Sequence, residues 1–250
     1  MSAYEALAGS YDDLTYDIPY NSILRFWETL LRRYRVRPQS VLDLACGTGS
    51  LSVLLAQKGY RVLGADISEQ MLCQAERKAE KLAENRPFFI CQPMQRLRLP
   101  EPVDAVLCCL DSVNYLRKPA DCRKTFRRVY DALTPGGLFV FDVNTPFKLR
   151  SLDGQVFLDE REDAYCVWRA EFRERANSLF YGVDLFTRAG DVWERSFEEH
   201  VEYAYTAEEL TAYLQEAGFG SIGVFADRRL RSPAPEELRI YLAAKKEQTK

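Results

Sequence analysis

Apolar positions along the chain keep two rhythms, and they change over near residue 147. Before it, short apolar runs alternate with stretches of helical spacing. Ile23, Phe26, Trp27, Leu30, Leu31 and Tyr34 fall on one helical face, with arginines on the other. Residues 4–36 therefore read as helical, with a break at Ile18-Pro19. Strands are expected at 41–45, 61–66, 88–91, 103–110 and 138–143; the unbroken apolar run at 103–110 fits a strand buried on both faces. A helix over 51–58 ends at Gly59, where a left-handed cap suits glycine. Ser68 can cap a helix running from 69 to about 83, ahead of Pro87. Another spans 123–133 and stops at Thr134-Pro135-Gly136-Gly137. Alternation of this kind calls for a parallel, doubly wound α/β sheet.

Between 147 and 205 helical spacing fades. Short β-rich segments take over at 164–170, 179–186 and 200–205, separated by turn signals at Ala176-Asn177-Ser178 and Ala189-Gly190-Asp191. This reads as a small antiparallel β-insertion. Helical patterning returns after Thr206, with Glu208 and Glu209 in the first turn and Gly218 at the end. Segments 222–226 and 238–243 give two last strands, for seven in a mixed sheet. The layout assigns 1–146 and 206–250 to one domain, with residues 1–36 as a helical lid and 147–205 inserted over the site.

Composition narrows the function classes. The 250 residues are 47% hydrophobic and 28% charged, ordinary for a globular chain that buries one large core. A net charge of −3 argues against a general nucleic-acid binder, and the arginines of the first helix read as solvated faces. No apolar run approaches the roughly 20 residues needed to span a bilayer, and no secretory signal is visible. The seven cysteines lack metal-ligand pair spacing and sit in apolar contexts, which suits reduced thiols in the cytoplasm and no metal.

The chemistry concentrates at Asp43-Leu44-Ala45-Cys46-Gly47-Thr48-Gly49, a strand running into a glycine turn and then a helix. Asp66 closes the next strand. Strand, turn, helix, strand and terminal acid make the opening unit of a nucleoside-binding domain. A dinucleotide fingerprint wants glycine, or alanine in the last place, at its first, third and sixth positions; counting from Gly47, Ser52 fills the sixth poorly, and counting from Ala45, Ser50 does no better.

The Asp-x-Ala-x-Gly-x-Gly run instead resembles the first motif of class I S-adenosylmethionine-dependent methyltransferases. The likeness extends to Asp66, to Thr134-Pro135-Gly136-Gly137-Leu138 before the fifth strand, and to Gly218-Phe219 with the two closing strands. It covers roughly 35–145 and 206–245, and it implies a Rossmann-like seven-stranded sheet and S-adenosyl-L-methionine as cofactor. On this resemblance Asp43, Ala45, Gly47 and Gly49 form the turn under the cofactor, and Asp66 grips the ribose diol. Pro93 stands where the family places an acid for the adenine amino group. Adenine is then expected between Ile67 and Met94, with the backbone or amide of Gln95 beside it.

The loop Leu110-Asp111-Ser112-Val113-Asn114-Tyr115 corresponds to the family's methyl-side rim, where Leu110 meets the cofactor and Asp111 and Asn114 could orient an amine or hydroxyl. The plainer reading is a loop cap, with Asp111 or Ser112 ending the strand and starting a helix. The Tyr-Asp stretch from Tyr11 to Tyr20 is similar to the lid of small-molecule N-methyltransferases, with Tyr11 and Tyr20 as its contacts; ordinary helix packing would also account for these tyrosines. His200, the only histidine, is a candidate base or a structural residue. The expected activity is in-line methyl transfer to a nitrogen or oxygen of a small molecule. A tRNA or protein acceptor, a non-catalytic cofactor-binding protein and a nicotinamide-dependent oxidoreductase are the alternatives. The oligomeric state is left open.

Overall fold

The computed structural model describes residues 11–248. Its core is a seven-stranded sheet of β1 (Ser40–Leu44), β2 (Arg61–Asp66), β3 (Phe88–Cys91), β4 (Val103–Cys108), β5 (Leu133–Asn144), β10 (Ile222–Ala226) and β11 (Arg239–Lys245). The spatial order is β10-β11-β5-β4-β1-β2-β3, with β11 antiparallel to both neighbours and the others parallel. Chain order reverses between β1 and β4, so a crevice opens beyond their carboxyl ends.

Neighbouring residues along these strands point to opposite faces, and both faces are covered. Val41, Val140 and Tyr241 pack with α2 (Tyr20–Tyr34) and α3 (Ser50–Gln57), while Leu42, Phe139 and Phe141 pack with α5 (Pro119–Ala132) and α7 (Ala207–Ala217). The α2 face expected from spacing is the buried one: Ile23, Phe26, Trp27, Leu30 and Leu31 are all inside, and Trp27 meets Tyr60 edge-on at 5.5 Å. On α7, Thr206 and Glu209 form a reciprocal capping box, which satisfies two otherwise orphaned backbone donors.

Several boundaries differ from the sequence reading. The N-terminal helical stretch is a single turn, α1 (Tyr11–Leu14), followed by α2; residues 4–10 of that expectation lie outside the described residues. Helix α4 (Glu69–Ala79) is four residues shorter than expected, and α5 starts at Pro119, which sits at its first turn where a missing N–H costs nothing. β4 stops at Cys108, because Leu110 and Asp111 turn left-handed, with φ of 60° and 52°. The carboxylate of Asp142 accepts from both their N–H groups, at 2.8 and 3.1 Å. Thr134 to Gly137 continue into β5 rather than forming a free turn.

The segment after β5 opens with a helix that spacing did not reveal, α6 (Pro146–Ser151), capped by Thr145. Six residues are too few to show a period. A four-stranded antiparallel sheet follows, β6 (Val156–Glu160), β7 (Ala164–Arg173), β8 (Ser178–Ala189) and β9 (Val192–Tyr203), in that order. β6 is only five residues long, and in the first half of β9 exposed, charged positions break the apolar signal, so both escaped the sequence reading.

Asn114 ties this sheet to the core. Its Nδ2 donates to the carbonyls of Asn144 and Tyr203, at 3.1 and 2.9 Å, and its Oδ1 accepts from the Asn144 N–H at 3.0 Å. Those two residues are where the inserted chain leaves and rejoins the core. Asn114→Ala should strand two buried carbonyls and an N–H, and so lower unfolding free energy by about 3 kcal/mol in urea titration. A loss below 1 kcal/mol would show that the tie is dispensable.

Candidate active site

The glycine turn is built from backbone geometry that few residues tolerate. Ala45, Gly47 and Gly49 all have positive φ, at 57°, 54° and 72°. The two glycines serve different ends. A Cβ on Gly47 would meet nothing within 4 Å, so this glycine is called for by its positive φ and not by packing. A Cβ on Gly49 would lie 2.8 Å from that of Ala75, so Gly49 lets α3 and α4 approach. Asp66 then locks the turn: one carboxylate oxygen accepts from the Gly47 N–H and the other from the Ser68 N–H, each at 2.9 Å. A carboxylate oxygen can accept more than one hydrogen bond, so these two need not exhaust the group.

The crevice, a cavity of about 160 Å³, is walled by Asp43, Ala45, Gly47 and Asp66 from the first two strands and the glycine turn. Ile67, Met94 and Leu110 flank it, and Tyr11 and Tyr20 cover it. Nine of the eleven expected cofactor positions thus come together. Gly49 and Gln95 do not line it; Gly49 is taken up by helix packing. Cys46, Thr48, Ser50, Leu51, Met71, Cys109, Ser112 and Tyr115 also line it without having been singled out. Most are immediate neighbours of the motifs, so proximity to those motifs was the available signal. Asp12 accepts from Thr48 Oγ1 at 2.7 Å and pairs with Lys78 at 2.7 Å, and Lys78 also donates to Ser50 Oγ at 2.6 Å. The N-terminal segment is pinned over the glycine turn by these contacts.

Beside the crevice lies a second cavity of about 450 Å³. Tyr11 and Tyr115 line both, so the two lie side by side there. Its walls come from the core through Asp111 and Asn144, and from the inserted segment through Lys148, Phe157, Asp159, Trp168, Tyr181 and Glu202. Asp111 faces this space and pairs with Arg239 at 2.6 Å; Arg239 also pairs with Asp142. Two expected catalytic positions need correction. Asn114 is fully buried and spends its amide on backbone, so it has no group to offer an acceptor. His200 is 1% exposed and packs against Trp168 and Tyr115, with Nε2 3.1 Å from Glu198, and it does not line the cavity. Glu202, two residues further along β9 and on the same face, does line it.

Burial sets the charges. It raises Asp66, and it pushes Asp43 up to about 7, against the bond from Ser52 Oγ at 2.6 Å. Glu202 rises to about 8 through burial, with Asp111 adding to it and Asn144, Lys148 and Arg239 opposing. Burial keeps the Cys46 and Cys109 thiols protonated, which removes them as nucleophiles. A carboxyl that holds its proton more tightly when folded stabilises the fold at low pH and loses that contribution as pH rises through its folded value. The melting temperature of Asp43→Asn minus that of the parent should therefore grow between pH 3.8 and about 7 and level off above. A pH-independent difference would contradict this account of Asp43.

Comparison with known proteins converges on one family. Residues 41–137 match the family model described as a methyltransferase domain. The chain is 32% identical over 249 residues to the "Putative methyltransferase YqeM" of Bacillus subtilis (strain 168), covering 98% of each. A crystal structure of an S-adenosylmethionine-dependent methyltransferase from Clostridium acetobutylicum ATCC 824 superposes with a TM-score of 0.87, at 29% identity over 98% of this chain and 100% of that one. The fold is also that of CalS10, an amino pentose methyltransferase from Micromonospora echinaspora, with a TM-score of 0.73 at 21% identity over 98% and 97% of the two chains. With the strand order, the glycine turn and the acid at the end of β2, these matches place the chain in the class I S-adenosylmethionine-dependent methyltransferase family.

Proposed function

We propose that the chain methylates a nitrogen or oxygen of a small molecule, with S-adenosylmethionine in the glycine-turn crevice and the acceptor in the cavity under the inserted sheet. The observation that carries this reading is the adjacency of the two cavities, which share Tyr11 and Tyr115 as lining. When bound, the cofactor supplies a methyl group on a sulfonium, an activated leaving group. The protein's share of the work is then alignment and exclusion of water, which can be worth roughly 7–11 kcal/mol.

The residues present suit such a guest. Gly47 lines the crevice with bare backbone. Asp66 is placed to accept from both ribose hydroxyls with the lone pairs left over from Gly47 and Ser68. Asp43 and Asp66 give the crevice an acidic floor, favourable to a cationic donor. Ile67 and Met94 offer apolar faces to adenine, and with Pro93 in the place of an acid the base is held mainly by these contacts and by backbone. Tyr11 and Tyr20 close over the top, held by the Asp12–Lys78 pair. The inserted sheet roofs the acceptor side, and among the described residues no helix is long and apolar enough to cross a membrane. The amino sugar named for CalS10 is an acceptor of the size this cavity suits.

Two measurements test the reading. Asp66→Ala should weaken S-adenosylhomocysteine binding by about 1.5–3 kcal/mol in calorimetry, the range for hydrogen bonds to a charged group; an unchanged dissociation constant takes Asp66 out of the site. Trp168→Ala should cut kcat/KM at least tenfold for whichever small amine or alcohol the parent methylates, and leave S-adenosylhomocysteine affinity within twofold. Methylation confined to tRNA or to a protein would overturn the small-molecule assignment.

A further inference from the structure

Glu202 is a buried carboxyl in the wall of the acceptor cavity, 3% exposed, at the rejoining end of the inserted sheet. Its Oε2 accepts from Asn144 Nδ2 at 2.8 Å. Among the described residues nothing donates to Oε1, and that atom is not sealed off from the cavity. A buried carboxylate oxygen without a donor is costly unless something fills the gap. The other ionic groups nearby are engaged with one another: Arg239 lies between Asp111 and Asp142, and Lys148 donates to Asn144 Oδ1 at 2.8 Å. Asp111, Asp159 and Glu202 line the cavity with Lys148, Asp159 being paired outward with Arg161 at 3.3 Å, and Tyr115, Trp168 and Tyr181 supply aromatic faces. Acids and aromatic faces together suit a cation.

We propose that the acceptor is a small molecule bearing a protonated amine, and that Glu202 is the catalytic base that takes its proton. This rests on the methyltransferase reading above and goes beyond it in naming the nucleophile and the base. An ammonium has no lone pair, so it must lose a proton before methylation. The N–H bond breaks, the proton passes to Glu202 Oε1, and the N–H electron pair stays on nitrogen. That pair forms the new bond to the methyl carbon, and the electrons of the broken carbon–sulfur bond remain on sulfur. Asn144 stays bonded to Oε2 throughout and fixes the carboxyl plane. Burial and Asp111 raise the affinity of Glu202 for a proton, while Lys148 and Arg239 oppose them, and Tyr181 faces the same space; the carboxyl reaches about 8, a suitable range for exchanging protons with an amine near neutral pH.

The test uses the full chain with S-adenosylmethionine and matched acceptors: benzylamine with benzyl alcohol, tyramine with its deaminated alcohol, glucosamine with glucose. Methylation of at least one amine and none of the alcohols is expected, with kcat/KM rising through about pH 8. Glu202→Gln should lose at least 100-fold in turnover and the inflection with it, keep S-adenosylhomocysteine affinity within twofold, and be partly restored by Glu202→Asp. A second readout needs no turnover. In protein carrying carboxyl-labelled glutamate and saturated with S-adenosylhomocysteine, the carbon-13 signal missing from Glu202→Gln should titrate near pH 8, and benzylamine but not benzyl alcohol should lower its midpoint. Should Glu202→Gln fail to fold, this titration in the parent decides. Methylation of the alcohols, no methylation of any amine, turnover of Glu202→Gln within threefold of the parent, or a midpoint blind to the amine overturns the proposal. In each of those outcomes intact S-adenosylhomocysteine binding leaves the methyltransferase reading standing, and its loss would sink that reading instead.

Discussion

Asn114 donates both amide hydrogens to the carbonyls where the inserted chain leaves and rejoins the core, and accepts from the N–H at the first of them. The amide is wholly buried, so its three bonds have no competition from water and no substitute if one partner moves. One side chain therefore fixes the distance between the loop after β4 and both roots of the second sheet. The inserted sheet is thereby held to that loop at both of its roots. Asp142 does similar work one turn away. Its carboxylate holds Leu110 and Asp111 left-handed and pairs with Arg239, so the rim is fixed from the fifth and last strands as well.

Charge is distributed by burial rather than by residue type. Asp43, Asp66 and Glu202 are all acids that the fold withdraws from water, and each holds its proton more tightly than in solution. On the crevice side they leave an acidic floor that a sulfonium can neutralise. On the cavity side Arg239 and Lys148 temper the same effect, and they are themselves tied down by Asp142, Asp111 and Asn144. The tie between Asp12 and Lys78 over the crevice is of another kind. Both groups are partly solvated, with side chains 47% and 24% exposed, so their attraction is of order 1 kcal/mol or less.

What the residues determined alone follows from local rules. Period 3.6 in α2, apolar strand runs, and the glycine turn with its following acid depend on neighbours in sequence, and so the doubly wound sheet could be read directly, while the family and nine of the crevice positions came from the resemblance those motifs carry. Asp43, Gly47 and Asp66 are recognisable because a backbone turn and a strand end dictate their type. The tertiary structure decided the rest. Gly49 proved to be a packing residue, since only the position of Ala75 reveals the collision. Asn114 left the rim for the interior, and His200 packed behind the wall, because their neighbours come from strands far along the chain. Glu202 lies among charged residues of β9 that look solvated in sequence; burial by distant elements is what turns it into a group with altered proton affinity, and no local pattern encodes that.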